Sequence, residues 1–161
     1  MSADYNRAKR AAEELAFKYY QEPPIDPEAI AEALGVEVVY GDFSEEMRDR
    51  ISGYLEPEQN LIVVNSAIHP NRMTFTIAHE LAHHILHRDY ANSDKYRVFT
   101  RMNDYDTTKP DEEREADAFA ASLLVPLPML RKYKDIASVT ELARMFCVSD
   151  AVILNRLKWV K

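Results

Sequence analysis

One run constrains this chain more than any other. From Arg72 to His87 the sequence reads RMTFTIAHELAHHILH, with no Gly and no Pro to interrupt it, so it predicts one continuous helix. Ala78, Leu81, Ala82 and Ile85 recur at i, i+3, i+4 and i+7, which predicts a buried stripe along it. Inside the run stands His79-Glu80-Leu81-Ala82-His83, the pattern H-E-x-x-H. A helix turns by about 100° per residue, so His79 and His83 fall about 40° apart and one turn apart along the axis. Two imidazoles on one rigid element can then reach one metal ion. Glu80 falls about 100° from His79 and about 60° from His83, close enough to act on a water beside the metal without being a ligand. Four of the five histidines of the chain lie between 79 and 87. A solvated helix face can carry the same pattern, but the apolar flank makes this helix half-buried. The arrangement suits a zinc hydrolase.

A third ligand is needed, and a second uninterrupted run supplies candidates. Residues 111–124 read DEEREADAFAASLL and predict another helix, ended by Pro126 and Pro128. Ala116, Phe119, Ala120, Leu123 and Leu124 form its apolar face. Glu112 and Glu113 both fall on that face or its edge, while Glu115 points away. A carboxylate on an apolar stripe is costly unless something neutralises it, and a metal ion would. Glu113 is preferred because Asp117 lies one turn on, free to orient a liganding histidine through its other ring nitrogen. The bland alternative is that both Glu residues are solvated and favoured by the helix dipole. Ala116 and Ala120 keep the face thin enough for close approach to the first helix.

The rest of the chain reads as a frame for these two helices. At 161 residues one domain is the default, with a hydrophobic fraction of 47% and a charged fraction of 29%. Residues 4–21 predict a helix, and Asp26 caps a short one beginning at Pro27 and closing at Gly35. A strand follows at 36–40, then a polar loop or turn. Strands at 51–55 and 60–65 flank Glu56-Pro57-Glu58-Gln59. Residues 88–110 show no long period; 96–100 suggest a short strand, and a connection this long suggests a lid. Residues 138–157 read as two short helices joined at Cys147-Val148, in the shape of a helix-turn-helix. The second is apolar on most sides, so it should be docked rather than free to enter a DNA groove. The expected architecture is therefore α+β: helices around a small, mostly antiparallel sheet over residues 1–130, and a helical extension over 131–161.

Charge and cysteine use narrow the setting. The formal net charge is −7, divided into −11 over residues 1–130 and +4 over 131–161. The body should not bind nucleic acid non-specifically. No membrane-spanning run and no signal-peptide core is visible, and the single Cys147 fits the cytoplasm and leaves zinc only His and carboxylate ligands.

Three blocks resemble one family, the ImmA/IrrE metallopeptidases. The first runs from Ile62-Val63-Val64-Asn65 through Arg72-x-Thr74-Phe75-Thr76-Ile77-Ala78-His79-Glu80-Leu81-Ala82-His83 to His87. The second is Glu113-x-Glu115-Ala116-Asp117-x-Phe119-Ala120-Ala121-x-Leu123-Leu124-x-Pro126. The third is Leu142-Ala143-x-x-Phe146-x-Val148-Ser149 with Arg156-Leu157. The resemblance implies a small zincin-like fold, Zn2+ held by His79, His83 and Glu113, and Glu80 as catalytic carboxylate. It implies a protein substrate, a helix-turn-helix repressor of a mobile-element or stress-response circuit. Ala82 stands where the family often has Gly, and Asp117 where it often has Asn. The family pattern also carries a His at 87, read here as structural or as support behind a ligand. Tyr54, Tyr90, Tyr96 and Arg72 are oxyanion candidates by chemistry alone. A second reading, from a different class, is a metal-stabilised regulator without catalysis that acts by binding protein or DNA.

Overall fold

The computed structural model describes residues 2–102 and 109–161. Helix α1 (Tyr5–Tyr19) is capped by Asp4, whose carboxylate accepts the Arg7 N–H, and it buries Ala8, Ala12 and Ala16 at i+4 spacing. Ala11 and Leu15 flank that stripe, while Phe17 and Tyr19 remain more than a third exposed. Helix α2 (Pro27–Ala33) starts at the Asp26 cap and is closed by Gly35 in the left-handed region, φ +82°. Strand β1 (Glu37–Gly41), the short helix α3 (Glu45–Arg48) and strand β2 (Gly53–Glu56) follow. A single 3-10 turn at Pro57–Gln59, with Asn60 at φ 49°, reverses the chain into strand β3 (Leu61–Asn65).

The sheet runs β1-β3-β2. β2 pairs antiparallel with β3, as a strand–turn–strand unit must, but β1 pairs parallel, Glu37 opposite Leu61 through Gly41 opposite Asn65. The sheet is therefore mixed, with one pairing of each kind. The reason lies in β3. Its residues Ile62, Val63, Val64 and Asn65 are all buried, so it needs neighbours on both sides and takes the centre. The Asn65 N–H donates to Ser52 C=O at 2.8 Å, and that parity turns the N–H and C=O groups of Gly53 and Leu55 toward the free edge of β2.

Helix α4 (Pro70–Leu86) contains the H-E-x-x-H run. His69 caps it, accepting the Asn71 N–H on Nδ1. Its buried stripe is Ile77, Ala78, Leu81 and Ala82; Ile85, expected to continue it, is 39% exposed because the helix is ending there. The connection after it is helical: α5 (Arg88–Ala91) and α6 (Asp94–Met102). The strand expected at 96–100 is thus a helical turn. Tyr96 is buried there while Val98 is 55% exposed, the one-sided pattern of a surface helix. The rest of the expected lid, residues 103–108, lies outside the described residues. Helix α7 (Asp111–Leu124) packs against both α1 and α4.

Helices α8 (Leu127–Tyr133), α9 (Val139–Phe146) and α10 (Asp150–Leu157) complete the chain. Ser138 and Glu141 make a reciprocal capping box on α9, and Ser149 caps α10. Cys147 takes the left-handed position between them, φ 57°, where Gly is usual. Leu142, Phe146, Val148 and Ile153 belong to the same hydrophobic cluster as Ala12, Leu81 and Phe119. The docking of α10 runs through Ile153 and Arg156; Leu154 on the helix and Trp159 just past its end are more than half exposed.

Candidate metal centre

Helices α4 and α7 carry the site between them. Both bury alanines, Ala78 and Ala82 on α4 and Ala116 and Ala120 on α7, so the two backbones can lie close. His79 Nε2 sits 2.9 Å from Glu113 Oε1 and 3.2 Å from His83 Nε2; His83 Nε2 sits 3.0 Å from Glu113 Oε2. One ligand atom from each of His79, His83 and Glu113 lies within 4.8 Å of the others. Glu112, the alternative carboxylate, is not in that group.

The donor set fits a metal ion. Behind the site, His79 Nδ1 faces Asp117 Oδ1 at 2.8 Å, so a neutral His79 keeps its proton there and turns a lone pair inward. Burial pulls the His83 pKa down to about 4, leaving that ring neutral. Glu113 is 3% exposed, and its Oε2 approaches His83 without a well-directed hydrogen bond. Lone pairs and a carboxylate therefore converge where only a cation relieves their repulsion. Without one, a proton does that work. Burial disfavours charge on His79, but Asp117 and Glu113 outweigh it and push its pKa up to about 10. Burial likewise opposes ionisation of Glu113, and the two histidines overcome it and hold the carboxyl well below the usual range.

Glu80 lies beside this group, 5% exposed. Burial, opposed by His79 and reinforced by Glu113, pushes its carboxyl up to about 7. Its Oε2 accepts the Tyr96 hydroxyl at 2.6 Å, and the same hydroxyl oxygen accepts the Leu55 N–H from the free edge of β2, also at 2.6 Å. Tyr96 is therefore engaged with Glu80 and unavailable as an oxyanion donor in this arrangement. Tyr90 is buried with its hydroxyl unpartnered among the described residues. A cleft of about 370 Å³ opens over His79 and Glu80, bounded by Gly53, Arg72, Phe75 and Lys109. A larger groove of about 790 Å³, between α1, α7 and α10, meets it at Phe75 and Asp117 but lacks the convergent donors that make the smaller one a reactive site.

Two features besides the Tyr96–Glu80 bond escaped the sequence reading. Glu115 does not point away: its Oε2 lies 2.7 Å from His87 Nε2. Counting angles along α7 misses this because His87 is the C-cap of α4, at φ −133°, and its ring leaves the helix axis. Lys109, just before α7, pairs with Asp117, a contact between a loop and a helix that no spacing rule reports. His87 itself stands behind His83, Nδ1 to Nδ1 at 3.1 Å.

A helix bearing H-E-x-x-H, joined to a second helix that brings a buried carboxylate to both imidazoles, defines a class of protein able to hold a metal ion between two helices. Within it, the chain belongs to the Peptidase_M78 family: residues 31–158 match the IrrE N-terminal-like domain. A stretch of 34 residues is 53% identical to the radiation response metalloprotease IrrE of Deinococcus radiodurans, covering 21% of this chain and 10% of that protein. A solved structure of a Mycobacterium tuberculosis transcriptional regulator shares the fold, with TM-score 0.67 and 20% identity over 95% of this chain. The chain spans 46% of that protein, so both relatives extend well beyond the regions matched here.

Proposed function

We propose that this chain is a zinc-dependent metalloendopeptidase of the cytoplasm that cuts a helix-turn-helix repressor at a specific site. The observation that carries the reading is the convergence of His79, His83 and Glu113 with the unliganded Glu80 carboxylate beside them. His79 and His83 would offer Nε2 and Glu113 a carboxylate oxygen, and two nitrogens with one oxygen are a donor set that suits zinc. When bound, such an ion polarises a scissile carbonyl and makes water nucleophilic at neutral pH. Glu80 receives the proton of the attacking water and returns it to the leaving amine, a role that needs a carboxylate near neutrality. Tyr96 fixes the direction of that carboxylate, and Asp117 fixes the plane of His79. Beyond the Leu55 N–H that Tyr96 takes, the outward-facing groups of Gly53 offer a short edge along which an extended segment can lie. The tail is a packing element in this reading, since α10 turns Ile153 and Arg156 inward, and direct DNA contact is not expected of it.

Glu80→Gln tests the role of the base. The substitution keeps size and hydrogen bonding, so zinc content and melting temperature should match the parent. Cleavage of a co-encoded repressor, followed by mass spectrometry of the products, should fall by about a hundredfold or more, since a positioned base contributes ~10²–10⁴-fold. Equal cleavage by both forms would remove Glu80 from the mechanism. An intact repressor with both forms, despite full zinc loading, would favour the regulator without catalysis.

A further inference from the structure

The His83 side of the site continues outward through groups that the proposed chemistry does not use. His83 is fully buried and His87 is 7% exposed, and their Nδ1 atoms are 3.1 Å apart. His87 Nε2 reaches Glu115 Oε2 at 2.7 Å, and the other oxygen of Glu115 accepts the Asp4 N–H at the start of α1, at 2.9 Å. We propose that His87 and Glu115 form a positioning relay that fixes the tautomer and ring plane of His83 for the metal.

The inference rests on the reading that His83 Nε2 is a ligand, and every proton in the relay follows from it. A neutral imidazole carries one N–H. If His83 offers the lone pair of Nε2, its proton is on Nδ1, and the acceptor within reach is His87 Nδ1. His87 must then carry its own proton on Nε2, where it donates to Glu115. The Asp4 N–H only donates, so Glu115 accepts on Oε1, and its Oε2 accepts the His87 Nε2–H, which sets the direction of the chain of bonds. His79 has its carboxylate directly behind it in Asp117; His83 reaches one through a second ring. Such outer partners raise the basicity of a ligand and stop its ring from turning.

Two measurements test the relay. In zinc-loaded wild type, long-range ¹H–¹⁵N spectra of the histidine rings should show His83 protonated on Nδ1 and His87 neutral and protonated on Nε2. A His87 protonated on Nδ1, or on both nitrogens, would overturn the relay without any substitution being made. Second, zinc affinity by competition with a chelating dye should weaken ~10–100-fold in Glu115→Ala and less in Glu115→Gln, which keeps an acceptor. Glu112→Ala, removing the same charge from the same helix, should change affinity less than about threefold, well below that range. Equal losses in Glu115→Ala and Glu112→Ala would reduce the effect to distant charge and overturn the relay. Should wild type bind no zinc, the ligand reading fails and the relay with it. Should zinc bind with unchanged affinity in Glu115→Ala, the relay alone fails.

Discussion

At the residue scale, the metal-free site is a set of acceptors held together by one proton. The folded pKa of His79, about 10, lies above the value of 6.5 for an unconstrained imidazole. Its contribution to stability is thus fully present below about pH 6.5 and lost as pH rises through 10. Metal must displace that proton, so binding strengthens over the same interval. The melting temperature of the metal-free protein should therefore decline between these pH values while the increment from saturating zinc grows. Parallel curves for the two forms would show that the ion does not compete for the His79 proton. Tyr96→Phe probes the neighbouring carboxylate. Tyr96 lowers the Glu80 pKa against the upward push of burial, so its loss should move the acid limb of kcat/KM to higher pH. Stability should fall by ~1–3 kcal/mol, since both the Leu55 N–H and Glu80 lose a buried partner. An unmoved limb would detach Tyr96 from Glu80.

At the scale of elements, Gly53 shows how tightly the site's wall is built. A Cβ there would stand 2.6 Å from the Val63 carbonyl oxygen and 2.7 Å from Thr76 Cγ2, so β2 is pressed against both β3 and α4. Gly53→Ala should destabilise the protein by ~1–3 kcal/mol, the range for an overpacked site, as measured by denaturant midpoint. A neutral effect would mean that β2 stands away from α4. The two site helices were legible in the sequence because each is a long periodic run, and His79, Glu80, His83 and Glu113 were legible through helical spacing. What spacing cannot express was missed or misread. The parallel partner of β3 depends on which strand is buried on both faces. Tyr96 meets Glu80 across 16 positions of sequence, from a helix whose aromatic and β-branched residues read as a strand. Glu115 meets His87 only because the chain leaves α4 at that residue.

At the scale of the molecule, the C-terminal helices share the core rather than hang from it. Phe146 is fully buried in the cluster that holds Leu81 and Phe119. Phe146→Ala should cost ~3–5 kcal/mol, and circular dichroism and calorimetry should report one unfolding transition with the tail included. Two separate transitions would make residues 131–161 an independent unit. The bond between Tyr96 and Leu55 has one more consequence, which concerns neighbouring molecules. β2 is the last strand on its side of the sheet, and an unpaired strand border attracts the same border of another copy. Tyr96 takes the Leu55 N–H, and α6, which carries it, stands over that border. Pairing of this border with that of another copy is thereby opposed, so damage to α6 exposes the molecule to self-association as well as to loss of the hydroxyl that holds Glu80.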